Sequence, residues 1–362
     1  MIDIDPAPIP DSWPISFSTM WQGLQCARQV AYDRSGQLRA LLVAPNLQGA
    51  LGRAAHGTLR TAAGRTLAQG TLDEVWQEQL IHEGNRLITT SVGAPPPPTS
   101  WPNYWVTYER LRARLVRTEE TESTYAARRS PKQPTIDARY ELPFYEKTFH
   151  DIEGGIVGTP DLVYRNPDGD VTIRDYKTGS TSSPERESAQ LHLYAHLVER
   201  ATGFAVRTGE IDRLRGEPER VPITNPEVAR LRMLATHVRR EVLRPDVSGA
   251  QDANTCIRCP YRMICSRALP NAENAALGDL FGVITEVVTT DDDRISALIL
   301  EVDQDMIALG GLESRSLQLE VGDSIVVLGA RGRASTGGLL AEWSTVVNSS
   351  QRLTEAASQA SA

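Results

Sequence analysis

Asp161, Asp175 and Lys177 are the residues whose types and spacing could do chemistry. Asp161 heads the apolar run Leu162-Val163-Tyr164. Turn-forming residues follow in Asn166-Pro167-Asp168-Gly169-Asp170, and Val171 to Arg174 returns with alternate residues apolar to Asp175-Tyr176-Lys177. This pattern predicts a β-hairpin. Residues i and i+2 of a strand share a face, so Asp175 and Lys177 project together and Asp161 on the partner strand reaches them. Two carboxylates on one face can hold a hard divalent cation, and an ammonium beside them can orient or deprotonate a water. The chemistry is that of a hydrolytic metal site. Aspartates beside such turns are commonly plain solvent charges, but here Lys177, Gln190 and Tyr194 accompany them. The only lysines are Lys132, Lys147 and Lys177, so a lysine in the acidic hairpin is an unusual choice in a chain whose cationic side chains are almost all arginine.

Several elements must position these groups. Residues 1–14 hold four prolines and predict an extended arm. Ile15 to Thr19 reads as a short extended entry and cap, and Met20 to Tyr32 as a helix carrying Cys26. Leu51, Ala55, Leu59 and Ala62 recur at helical spacing with His56 beside the stripe, and helix continues over 71–90. A helix near 104–120, a polar loop at 121–135 and a strand over 136–144 containing Glu141 lead to the hairpin. The helix from Pro184 to Ala201 sets Gln190 and Tyr194 one turn apart. A strand near 206–214 and a helix near 226–244 complete an α/β arrangement with a small mixed sheet.

Three of the four cysteines form C-x2-C-x5-C at Cys256, Cys259 and Cys265, and Cys26 lies far upstream. The spacing leaves three readings open: an iron–sulfur cluster on four thiolates, a structural zinc, or unrelated thiols. A metal held by all four would close a very long loop between the two ends of this unit.

Taken together these residues resemble the RecB-like, iron–sulfur-bearing branch of the PD-(D/E)xK nucleases, similar to AddB nuclease domains and the CRISPR-associated adaptation nucleases. Ser18 to Cys26 matches the opening serine-rich helix with the first cluster cysteine, and His56 the helical histidine motif. Gly158-x-x-Asp161, Asp175-Tyr176-Lys177 and Gln190-x-x-x-Tyr194 match the acidic, D-x-K and Q-x-x-x-Y motifs. Cys256, Cys259 and Cys265, with Pro260 and Tyr261, match the closing cysteine motif. Two positions depart from the pattern: Ala27 replaces a proline after Cys26, and Arg60 stands where an acidic residue often follows the histidine.

The resemblance implies a restriction-endonuclease-like α/β core with a helical N-terminal part over 15–268. It implies Mg²⁺ or Mn²⁺ on His56, Asp161, Asp175 and the Tyr176 carbonyl, and a 4Fe-4S cluster on Cys26, Cys256, Cys259 and Cys265. Lys177 is expected to position water or stabilise the phosphorane-like oxygens, and Gln190 and Tyr194 to orient it. Glu141 is a candidate for a second metal position. The implied activity is that of a DNA nuclease, an exonuclease on single-stranded ends, in repair, recombination or defence. Its rivals are a non-catalytic nucleic-acid-binding scaffold and a nuclease subunit active only within a larger complex.

After Cys265 the character changes. Residues 280–288, 296–302, 317–319, 324–329 and 339–344 read as five short strands between glycine turns and predict a small all-β barrel over 277–348. An OB-like barrel binding single strands through Arg331, Arg333 and Trp343, or an SH3-like barrel docking a protein partner, both fit. The tail 349–362 reads as disordered. The 362 residues carry a formal net charge of −8, which argues against binding nucleic acid by bulk charge, though a local basic groove can coexist with it. No phosphate-loop motif of the G-x4-G-K-[ST] type occurs. No segment predicts a membrane span or a secretory signal, so the expected location is cytoplasmic.

Overall fold

A computed structural model describes residues 6, 9–62, 67–91, 95–116, 142–166, 168–178, 183–244, 246–250, 253–265, 279–312, 317–333, 338–341 and 345–360. The chain enters through strand β1 (Ile15–Ser16) and helix α1 (Phe17–Gln25). Ser16 caps that helix, its hydroxyl accepting the Thr19 amide at 3.2 Å. The single helix predicted through Cys26 is instead broken there. Cys26 is extended, with φ −158° and ψ 104°, and its sulfur accepts the Gln29 amide at 3.4 Å, so it caps helix α2 (Ala27–Asp33). Apolar periodicity runs through the break, but the turn aims the thiol inward.

Helix α3 (Gly36–Leu42) follows, then α4 (Leu47–Ala62), α5 (Gln69–Thr90) and α6 (Tyr104–Leu115). Small residues on α4, among them Ala50, Ala54 and Ala55, let α5 approach closely, and Trp76, Leu72 and Leu80 of α5 fill the space between. This packing holds α4, and with it His56, against the sheet that follows.

That sheet is short and mixed. Strands β2 (Phe144–Tyr145), β3 (Phe149–Asp151), β4 (Ile156–Gly158), β5 (Leu162–Arg165) and β6 (Val171–Tyr176) are followed by helix α7 (Pro184–Thr202), then β7 (Val206–Asp212) and β8 (Glu219–Pro222). Five of these strands form one sheet in the order β2-β5-β6-β7-β8, and β1-β4-β3 form a second. The hairpin of the sequence reading is β5 and β6, antiparallel, with Leu162 opposite Arg174. Its turn is closed by Asn166 and Asp170 and passes through Gly169 at φ 89°, a left-handed conformation that favours glycine. A β-strand followed by helix α7 and then parallel β7 forms the crossover that places α7 over the sheet. Leu191, Leu193, Val198, Ile173 and Ile211 make the core between them, with helix α8 (Asn225–Val242) on the outer side. Of the strand predicted over 136–144, Phe144 is in β2, while Glu141 lies outside the described residues.

Helix α9 (Ala253–Ile257) carries Cys256. Beyond it come β9 (Leu280–Thr289), β10 (Ile295–Val302), β11 (Asp305–Gly310), β12 (Ser324–Leu328), β13 (Arg331–Arg333), β14 (Gly338–Leu340) and β15 (Val346–Ser349). These seven make one sheet in the order β13-β14-β11-β10-β9-β12-β15. The expected OB-like closure is not found: among the described residues β13 and β15 end the sheet and do not pair. Residues 317–319 form no strand. Their place is taken by β11, which folds back on β10 through Asp303 and Gln304, both in left-handed conformation at φ 48° and 74°. Trp343 and the side chains of Arg331 and Arg333 lie outside the described residues.

The tail predicted as disordered is helix α10 (Ser350–Ala360) over most of its length. Leu353 and Ala356 bury against Tyr32, Leu38, Tyr261 and Val326, so one small core joins α2, α3, the cysteine segment and the β-rich part. Arg262 adds a two-pronged ion pair with Asp279 at 2.5 and 2.7 Å. Among the described residues no helix is long and apolar enough to cross a membrane.

Candidate active site

The hairpin presents Asp161 between two partners. Its Oδ2 accepts the Tyr176 amide at 2.7 Å, which locks it to the neighbouring strand, and its Oδ1 lies 3.0 Å from Nδ1 of His56 on α4. Residues 105 positions apart are thus joined by the packing of α4 on the sheet. Glu146, just past β2, completes the group: ligand atoms of His56, Glu146 and Asp161 all lie within 4.8 Å of one another. Two carboxylates and one imidazole form a hard, oxygen-rich set suited to Mg²⁺ or Mn²⁺.

Glu146 is the site residue that the sequence reading misses. Pairing of β2 with β5, Tyr145 opposite Leu162, brings it beside Asp161, and its own amide donates to the Asp161 carbonyl at 2.9 Å. Arg60, the departure noted on α4, forms an ion pair with Glu146. The Tyr176 ring stands edge-on to His56 at 6.2 Å, and it is the Tyr176 amide that meets Asp161.

Asp175 and Lys177 do share a face. Asp175 Oδ2 lies 2.6 Å from Lys177 Nζ, an ion pair without hydrogen-bond alignment, and that oxygen accepts no hydrogen bond. Lys177 Nζ instead donates to Gln190 Oε1 at 2.9 Å, and Gln190 Nε2 donates to the Tyr194 hydroxyl at 2.9 Å. Helical spacing on α7 makes this relay possible, because residues four apart face the same side. A line of polar contacts therefore runs Asp175, Lys177, Gln190, Tyr194.

Charge and burial shape the titration of this group. Burial pushes the Asp175 carboxyl up, Lys177 opposes that and Asp161 adds to it, leaving the pKa at about 6. Burial would hold His56 neutral, but Asp161 and then Asp175 outweigh it, and its pKa is pushed up to about 9. In the metal-free fold the protonated His56, Lys177 and Arg60 offset the three carboxylates, and a bound cation would take the place of the His56 proton.

Gly158 explains why α7 can come so near. A Cβ there would stand 2.7 Å from Leu197 Cδ1 and 2.8 Å from Tyr194 Cε1, both well inside contact distance. Beside it Ser16, Ser18, Thr159, Lys177, Arg186 and Gln190 line a pocket of about 460 Å³. Hydroxyls with two cations suit an oxyanion such as a phosphate, and the one carboxylate of the lining, Glu187, is paired with Arg213.

The four cysteines converge. Cys26, Cys256, Cys259 and Cys265 line one small cavity, with Tyr32 and Arg262 at its wall. Cys26, Cys256 and Cys265 are buried, and burial pushes the Cys26 thiol up and Cys259 up to about 12. Tyr32 stacks on Tyr261 at 5.0 Å behind them. Four thiols, three of them buried, around one apolar-backed space form a soft donor set.

The PD-(D/E)XK nuclease superfamily model matches residues 14–266. No curated protein matches. Among solved structures, the crystal structure of SSO0001 aligns at 19% identity and a TM-score of 0.22, over 32% of this chain and 52% of its own. This chain thus spans about half the length of that structure, and the likeness carries no argument.

Proposed function

This chain belongs to the PD-(D/E)XK nuclease superfamily, and we propose that it is a metal-dependent deoxyribonuclease of the RecB-like branch, acting as an exonuclease on single-stranded DNA ends. The observation that carries the reading is the line of contacts from Asp175 through Lys177 to Gln190 and Tyr194, set beside Asp161, His56 and Glu146. A scaffold that only bound nucleic acid would have no need of a buried aspartate held 2.6 Å from the lysine of the site.

His56, Glu146 and Asp161 would hold the cation, with Asp175 and the Tyr176 carbonyl beside them. A bound Mg²⁺ or Mn²⁺ supplies a more acidic water and neutralises charge on the phosphate. Asp161 is fixed by the Tyr176 amide and so holds its position as substrate enters. Lys177, braced by Asp175 and Gln190, keeps its ammonium where negative charge grows on the phosphoryl oxygens. Attack of water oxygen on phosphorus forms one P–O bond and breaks the bond to the leaving strand. One product carries the phosphate and the other a hydroxyl. Ser16, Ser18 and Arg186 line the pocket where the phosphates on either side would lie.

For the second centre we assign a 4Fe-4S cluster to Cys26, Cys256, Cys259 and Cys265. Their convergence from both ends of the matched region supports the assignment, as does the apolar shell of Tyr32, Tyr261 and Ile264. The unit over 15–268 is then the nuclease, and 277–348 is an attached β-rich unit suited to a strand or a protein partner. The test is cleavage of end-labelled single- and double-stranded DNA, labelled at either end, with Mg²⁺ or Mn²⁺. Mononucleotide or short products from single strands support the exonuclease reading, and internal cuts in closed circular DNA contradict it.

A further inference from the structure

A groove distinct from the Lys177 pocket lies between α6 and the turn after β7. Trp105, Val106, Arg110, Arg114, Leu214 and Arg215 line about 650 Å³ of it. Trp105 is 64% exposed, an unusual position for the largest apolar ring. Its plane is nonetheless fixed by perpendicular contacts with Tyr104 at 4.9 Å and Tyr108 at 6.5 Å. Folding alone does not require an indole held this way and left open to solvent. A ring of fixed orientation with open surface is what stacking needs.

The charge at this wall is basic. Arg110, Arg114 and Arg215 face one acid, Glu109, which pairs with Arg112 at 2.8 Å. Two contacts tie the groove to the catalytic strand. Arg110 Nη1 donates to the carbonyl of Thr178, the residue after Lys177, at 3.2 Å. Arg114 pairs at 2.9 Å with Asp212, whose carbonyl accepts the Lys177 amide at 2.8 Å. The groove therefore lies against the catalytic strand, on the face of Tyr176 rather than that of Asp175 and Lys177. Aromatic surface beside arginines matches a base with its flanking phosphates better than it matches an apolar protein segment.

We infer that this groove holds one unpaired nucleobase of the substrate strand, stacked on Trp105, with the adjoining phosphates at Arg110 and Arg215. The inference rests on the nuclease reading and names what that site selects: a strand whose bases are free to leave the helix. A paired base keeps both faces inside its own stack and cannot occupy the groove.

The test uses the full chain carrying Asp175→Asn to stop cleavage, and the anisotropy of a fluorescein-labelled single-stranded oligonucleotide with Mn²⁺ at fixed salt. Adding Trp105→Ala is expected to weaken binding about 10-fold, the effect of losing one stacked base, and Trp105→Phe by less than about 3-fold. An abasic site scanned along the strand should cost the Trp105 protein about 10-fold at one position and the Trp105→Ala protein nothing there. Arg215→Ala should weaken binding to all sequences alike and lower the salt slope by about one. Circular dichroism checks that each variant folds. Equal binding by the Trp105→Ala and Trp105 proteins, or an abasic cost that is the same in both, overturns the subsite. With Asp175 intact, continued DNA cleavage in that event leaves the nuclease reading standing, while a parent protein that neither cleaves nor binds DNA overturns both.

Discussion

Lys177 donates to Gln190 across 2.9 Å, from the end of β6 to the middle of α7, and this contact holds the one lysine of the site in place. Lys147, by contrast, lies over the Phe144 ring at 4.1 Å. An ammonium that must meet a transferring phosphate loses rate when it can rotate away.

Gln190→Ala should therefore lower kcat about 10- to 100-fold while changing metal affinity little, since it acts by positioning. Gln190→Glu should show a different pH profile, because a carboxylate adds a charge beside Lys177. Steady-state kinetics of the two variants, with Mn²⁺ binding measured in parallel, separates these effects. A Gln190→Ala protein with wild-type kcat contradicts the positioning role.

The metal set predicts a pH dependence with a definite sign. His56 binds a proton up to about 9 in the metal-free fold, against an ordinary value of 6.5. Its raised pKa contributes stability that is present below 6.5 and lost as pH rises through 9. A cation must displace that proton, so Mn²⁺ affinity should rise from pH 6.5 towards 9 and then level. Calorimetric titration at pH 7.5 in two buffers of different ionisation enthalpy should report release of about one proton per Mn²⁺. The rise in melting temperature on adding Mn²⁺ should be larger at pH 8.5 than at 6.5, and a pH-independent shift would count against His56 as a ligand.

Gly158→Ala should destabilise the fold by about 1–3 kcal/mol, because the new methyl overlaps the buried Tyr194 ring and Leu197. It should also slow cleavage, since Tyr194 moves with Gln190. Chemical denaturation reads the first effect as a lower midpoint, and an unchanged midpoint contradicts the close approach of α7 at this point.

If the four thiols hold the proposed cluster, replacing Cys265 by serine should bleach the visible absorption of anaerobically purified protein and lower its thermal stability, because the cluster would link the start of α2 to the segment after α9. Loss of colour with an unaltered melting curve would show that the cysteine centre does not staple the fold. A colourless wild-type preparation with stoichiometric zinc contradicts the cluster.

How far the sequence reveals this arrangement depends on the range of the signal. The hairpin is legible because its turn residues and alternation are local, and Gln190 with Tyr194 is legible because four residues make one helical turn. Glu146 is not, since only the pairing of β2 with β5 brings it to Asp161, and nothing in its neighbours marks it. The break at Cys26 hides inside an unbroken apolar period. Strand β11 is missed because its turn uses Asp303 and Gln304 in left-handed conformation, where turn chemistry leads one to expect glycine. Helix α10 is missed because its order comes from Leu353 and Ala356 meeting a core built by α2 and α3, a contact across most of the chain.

The central claim is that Asp175 and Lys177 act in phosphodiester hydrolysis, and the most direct measurement is the cleavage rate of end-labelled single-stranded DNA with Mn²⁺ by the wild type, Asp175→Ala and Lys177→Ala. Wild type should cut, stop on chelation and recover with added metal, and each variant should fall by about 10³-fold or more with its circular dichroism unchanged. Cleavage by either folded variant at the wild-type rate would contradict the account.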